Sequence, residues 1–162
     1  MALDSSKKGV IDEKTLRKIV LSYGGDENVG ASARLYLNKS DLIAFGDVRG
    51  SDKKPVYEIT PDAGNPNTGI IKDGGLAVPY TINSNLTALA GTAQSNTAVT
   101  NTMVYGDPMN YELGLFGDYV IEVSKDYKFA EGLLTVMGEV LAGGNLIKHN
   151  GFLVCQIAKG TA

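Results

Sequence analysis

The residues with the most chemical potential in this chain are few and scattered. His149 is the only histidine, beside Asn150 and Gly151 at a turn signal, and Cys155 is the only cysteine. A zinc site or a nucleophile–base pair needs partners of matching type, and no second His or Cys cluster accompanies either residue. Cys155 lies in the apolar run Phe152–Ile157, where an inert buried thiol is expected, and with no second cysteine it cannot form an internal disulfide. The stretch Asp62-Ala63-Gly64-Asn65-Pro66-Asn67-Thr68-Gly69 resembles a calcium loop, but Gly64 and Pro66 occupy positions where oxygen ligands are required. An Asx/Pro turn is the better reading. Asp118, Glu122 and Asp126 could be imagined as paired carboxylates, yet Asp118 and Glu122 are even-spaced and share a strand face, which predicts a charged solvent face. Gly24-Gly25-Asp26-Glu27 follows a helix pattern rather than preceding one, which is the wrong order for a phosphate-binding loop. Asn38-Lys39-Ser40 and Asn85-Leu86-Thr87 fit the glycosylation pattern, which carries no weight without a signal peptide. No catalytic residue, cofactor-binding residue or metal ligand is assigned, and no enzyme is expected.

Composition narrows the class further. The chain has 162 residues, is 43% hydrophobic and contains 20 glycines, which favours one packed domain with many turns and short strands over long helices. The net charge is -3 and the basic residues are scattered, so no specific nucleic-acid face is expected. No run approaches the ~18 apolar residues of a membrane span, and the first residues lack the apolar core of a signal peptide. No membrane partner is therefore expected, and synthesis in the cytoplasm is.

The elements that would position these residues can be placed in order. Residues 1–10 are expected to be disordered. Residues 11–23 predict a helix, with Leu16, Ile19, Val20 and Tyr23 forming one apolar stripe and Gly24-Gly25 ending it. Residues 33–37 predict a short buried strand. Asn38 or Ser40 then caps a second helix through Phe45, ended by Gly46. Val56–Ile59 reads as a short strand, Asp73-Gly74 as a tight hairpin turn, and Leu76–Ile82 as an edge strand because Pro79 cannot donate to a ladder. Residues 83–102 carry no charge and are rich in Ala, Thr, Asn and Ser, which predicts an exposed loop or insertion. Thr102–Tyr105 restores strand character before Gly106-Asp107-Pro108 breaks it. Tyr119–Ser124, Leu133–Ala142 and Phe152–Ile157 predict three antiparallel strands closing the domain in one sheet. Along the second of these, Leu134, Val136, Val140 and Ala142 share one face, and Leu133, Thr135, Met137, Glu139 and Leu141 the other.

The serial order carries a resemblance. The capped helix and a strand ending Leu37-Asn38 are followed by Lys39-Ser40-Asp41, Gly74-Gly75-Leu76-Ala77-Val78-Pro79 and Tyr105-Gly106-Asp107. Ile121-Glu122-Val123-Ser124, Phe129, a long strand, and Phe152 through Ala158-Lys159-Gly160-Thr161 complete the order. Over residues 10–162 this resembles the C-terminal half of the major capsid proteins of tailed phages with the HK97-like fold. The resemblance implies an α+β fold, with an axial-type domain at 11–118 and closing, partly peripheral-domain-like strands at 119–162. It implies a structural subunit of a phage or prophage virion, which acts by self-assembly into capsomers, with copies of itself as partners in pentamers and hexamers. The family's N-terminal half, with its long spine helix and extended loop, has no counterpart here, which suggests a fragment, an engineered product or a decayed prophage gene product. Some members join subunits through a Lys–Asn isopeptide bond assisted by a Glu. By register from Lys159-Gly160, the Asn position falls near Met137 and the Glu position near Gly144, with Glu139 displaced, so no self-crosslinking is expected. An encapsulin-type compartment shell, or an unrelated β-rich phage or adhesin module binding through 83–102, stands as the alternative.

Overall fold

A computed structural model describes residues 1–24, 30, 32–95, 97–124 and 129–160. The Gly25–Glu27 part of the glycine-acid motif and Asp126 lie outside the described residues. The fold is α+β, and the chain divides into two units: residues 1–110 with 148–162, and residues 111–147.

The first unit is built on a six-stranded mixed sheet. Its strands are β1 (Arg34–Leu37), β2 (Glu58–Asp62), β3 (Asn65–Asp73), β4 (Leu76–Ile82), β5 (Thr100–Gly106) and β8 (Phe152–Ile157), in the order β2-β3-β4-β1-β5-β8. The intervening β6 (Tyr111–Ser124) and β7 (Thr135–Leu146) belong to the second unit. Among the described residues only β1 and β4 run parallel, through Leu35↔Tyr80 to Leu37↔Ile82. Two helices, α1 (Thr15–Leu21) and α2 (Lys39–Asp47), accompany the sheet. Leu16 and Ile19 on α1 and Phe45 on α2 join Leu35, Leu37, Ile71, Val78, Tyr80, Met103 and Ile157 in one buried core. The expected helix of 11–23 is confined to α1. Asp12 stands before it, and the Asp12 and Thr15 side chains bond each other's groups at its start, the Asp12 amide and the Thr15 hydroxyl donating. Asn38 caps α2, its side-chain oxygen accepting from the Ser40 amide at 3.0 Å.

Four expectations are corrected. Leu76–Ile82 is not an edge strand, because β4 lies between β3 and β1. Pro79 is tolerated there because the pairs with β1 begin at Tyr80, beyond the position of the missing N–H. The three closing runs do not share a sheet either: β6 and β7 pair with each other, while β8 pairs with β5. Residues 1–10 are ordered, with Leu3 bridging Gly9, Lys8 bridging Ala93, and Gly9 exchanging backbone bonds with Gly91 and Thr92. Finally, residues 83–95 form no helix or strand, yet they are not simply exposed, since Leu89 is fully buried. The predicted hairpin turn holds: Asp73 pairs with Leu76 around Gly74, whose φ of 57° is the left-handed value that favours glycine.

Two buried carboxylates fix this arrangement. Asp73 at the end of β3 is met side-on by Arg17 of α1, with Nη2 donating to Oδ1 and Nε facing Oδ2, both at 2.8 Å. Asp41, fully buried on α2, accepts from the Leu89 amide at 3.0 Å and the Ala90 amide at 2.8 Å. Burial raises the Asp41 pKa and outweighs the two amide bonds, which lower it. The folded chain therefore holds the Asp41 proton more tightly than the unfolded chain. Its contribution to stability falls as pH rises from the ordinary carboxylate value to the raised one, and is level beyond it.

Asp41→Ala is expected to reduce the unfolding free energy by about 2–5 kcal/mol, since two amides lose their acceptor. Urea denaturation measures this loss. Asp41→Asn is expected to remove the Asp41 part of the pH dependence, the fall in stability that sets in as pH rises past the ordinary carboxylate value.

Candidate assembly surface

The second unit is a ribbon of two long antiparallel strands, β6 and β7, paired from Tyr111↔Leu146 to Ser124↔Thr135 with a register shift between Phe116 and Val120. Because side chains alternate along a strand and directly opposed residues share a face, the register sorts every residue onto one of two faces. One face carries Tyr111, Leu113, Leu115, Tyr119, Ile121 and Val123 from β6 against Leu146, Ala142, Val140 and Val136 from β7, with Gly144 and Gly138 between them. The other carries Glu112, Gly114, Phe116, Val120, Glu122 and Ser124 against Asn145, Gly143, Leu141, Glu139, Met137 and Thr135. For the residues within β7 the expected split into two faces is the observed one, while Leu133 and Leu134 precede the strand.

The first face has no charged residue, and its large side chains are exposed, from 48% at Val140 to 68% at Leu115. Soluble proteins rarely leave a contiguous apolar surface of this extent to water, and a two-stranded hairpin is marginal by itself. Glycines are sealed by aromatic neighbours within the ribbon: a side chain at Gly138 would meet the Tyr119 hydroxyl at 2.7 Å, and Tyr111 covers Gly144 in the same way. Aromatic–glycine neighbours of this kind cover backbone that glycine would otherwise leave bare and help to hold the register.

The other sequence candidates are not brought together. His149 lies in the exposed turn after β7, and Cys155 is buried in β8. Burial pushes the Cys155 thiol up to about 12, so it stays protonated at neutral pH. Asp118 falls in the register shift of β6, and Glu122 projects from the charged face. Met137 and Gly144, the positions expected for a crosslinking Asn and Glu, lie on opposite faces of the ribbon. Among the described residues no group of three His, Cys, Asp or Glu side chains is placed to hold a metal ion. No helix among them is long and apolar enough to cross a membrane. Sequence reasoning missed the first half of β6, Tyr111–Phe116, because Gly114 and Gly117 interrupt its alternation; the pairing of Gly114 with Gly143 shows why the interruption is tolerated.

The phage capsid family matches residues 2–157. The chain belongs to the phage capsid family. No curated protein matches it. Among solved structures it is similar to the capsid of an empty GTA particle computed with C5 symmetry, at 15% identity and a TM-score of 0.56. That likeness covers 87% of this chain and 42% of the other, so the chain spans less than half the length of the structure it matches. The identity is low enough that the likeness speaks for the capsid fold alone.

Two measurements follow from the surface. A hydrophobic dye such as ANS is expected to bind the native chain, and Leu113→Lys with Ile121→Lys to remove most of that signal while the far-ultraviolet dichroism is kept. Cys155 is expected to resist iodoacetamide at about pH 8 in the folded chain and to react fully in urea.

Proposed function

We propose that this chain is the assembling part of an HK97-like phage capsid subunit, acting by repeated contacts with copies of itself in capsomers. Membership in the capsid family supports the class of function. The observation that carries the mechanism is the uncharged, exposed face of the β6–β7 ribbon. A standard protein interface contributes ~800 Å² per partner, and nine large apolar side chains at about half to two-thirds exposure supply surface of that order. In a shell, each contact is repeated many times, so modest individual interfaces add to a stable particle. On this reading the first unit is the axial-type domain. The returning strands belong to a peripheral part, and the finished protein resides in the virion after synthesis in the host cytoplasm. The reading includes no catalytic step and no covalent crosslink.

The encapsulin-type alternative shares the fold and differs in packaging an enzyme, so a cargo peptide bound on an inner face would decide for it.

A version of the subunit completed with an N-terminal half is expected to form rings or particles visible by negative-stain electron microscopy. The same subunit with Leu113→Lys and Ile121→Lys is expected to remain unassembled. Persistent monomers of the complete, unmutated subunit at high concentration would overturn the shell reading.

A further inference from the structure

Asn150-Gly151 is the only Asn-Gly pair in the chain. Asparagine loses its side-chain amide most readily in this dipeptide. Glycine puts no side chain in the way of its own backbone nitrogen as that nitrogen attacks the asparagine Cγ. Both members of the pair are imposed by the fold. Asn150 is the third residue of a turn over 148–151, which the Gly151 amide closes by donating to the Lys148 carbonyl at 3.2 Å. Its φ of 54° is a left-handed value that asparagine accommodates better than most residues. Gly151 is buried, and a side chain there would begin 2.8 Å from the Asn110 Cβ and 3.0 Å from the Lys148 carbonyl oxygen. A larger residue is therefore excluded at this position.

The same packing holds Gly151 at both of its polar groups. Its N–H is taken by Lys148, and its carbonyl accepts from the Asn110 side-chain amide at 3.0 Å and from the Tyr23 hydroxyl at 3.4 Å. The Tyr23 hydroxyl in turn accepts from the Asp107 amide at 3.2 Å. Attack on Asn150 requires the Gly151 nitrogen to give up its proton and to leave this seat. The cyclic imide that results has no N–H to donate, so the turn bond to Lys148 cannot survive its formation. Asn150 itself is exposed, which gives water and departing ammonia free access.

We propose that Asn150 is a deamidation site gated by the fold: its amide is kept while the 148–151 turn is closed, is lost when Gly151 leaves its seat against Asn110, and the isoaspartyl product cannot reclose the turn. The Gly151 nitrogen passes its proton to hydroxide and bonds to the Asn150 Cγ, and the carboxamide nitrogen leaves as ammonia. Water then opens the imide in one of two ways. Breaking the new bond to Cγ leaves aspartate on the original main chain. Breaking the original peptide bond leaves isoaspartate, whose main chain runs through Cγ and is longer by one carbon. A lengthened chain does not fit a seat that already excludes a Cβ. A passing separation of Gly106 and Phe152, the paired ends of β5 and β8, is thereby made permanent. The inference stands apart from the shell reading and does not depend on it.

The test compares the native chain with the chain unfolded in urea, both kept in one mildly alkaline buffer. Peptide mass spectrometry of the segment holding position 150 scores amide loss and the share of isoaspartate. The native rate is expected to be lower by about tenfold or more, because only open molecules react. Tyr23→Phe keeps the ring and removes one donor from the Gly151 carbonyl. It is expected to raise the native rate several-fold and to leave the rate in urea unchanged. Asn110→Ser removes the other donor and gives the same test, so a folding failure in one variant leaves the other to decide. After partial reaction in urea and dilution into buffer, isoaspartate is expected to be depleted from the refolded fraction. Equal rates in the native and unfolded chain overturn the proposal. So does a native rate that both variants leave unchanged, or isoaspartate in the refolded fraction at its share in the starting mixture.

Discussion

The carboxylate of Asp41 is the interaction on which the first unit depends. It takes the amides of Leu89 and Ala90 and so fixes the middle of a segment that has no helix or strand of its own. Around that point the same segment collects distant parts of the chain. Asn38 of α2 donates to the Leu86 carbonyl, Gly9 exchanges bonds with Gly91 and Thr92, Gln94 donates to Lys7, and Gly160 donates to Ser95. The start of the chain, the second helix and the residues following β8 are therefore all tied to one irregular stretch. A carboxyl group in so buried a place is tolerated because two backbone donors face it, although burial still raises its pKa.

The ribbon obeys a different constraint. Two strands can satisfy each other's backbone groups but cannot cover their own faces, and this pair leaves one face wholly apolar and the other acidic. Separation of charge from apolar surface is what an element needs if one side is to be dry in an assembly and the other wet. Family membership and this division of surface are independent observations, one from the sequence match and the other from strand register.

How much of this was legible in the residues depended on whether the determinant was local. The α1 stripe of Leu16 and Ile19, the Asn38 cap and the Gly74 turn are set within a few positions and were read correctly. Pro79 misled, because a missing donor excludes an interior strand only where the neighbour's ladder reaches it, and β1 stops short. The partner of β8 was misjudged because its apolar run fits either sheet equally well; pairing with β5 joins residues separated by some fifty positions, and periodicity carries no record of that. The small polar residues of 83–95 concealed a hub, since its bonds are made by backbone groups that every residue type shares.

β5 and β8 are hydrogen-bonded neighbours, and the Asn110 side chain donates to the Gly151 carbonyl at 3.0 Å, so the chain leaves the six-stranded sheet and re-enters it at one place. Residues 111–147 are thus an excursion whose two ends are already joined. Paired deletions or additions in β6 and β7 would change the reach of the ribbon without altering the path of any strand in the sheet. The ribbon is therefore the part of the chain whose length can change most freely while the six-stranded sheet is left untouched.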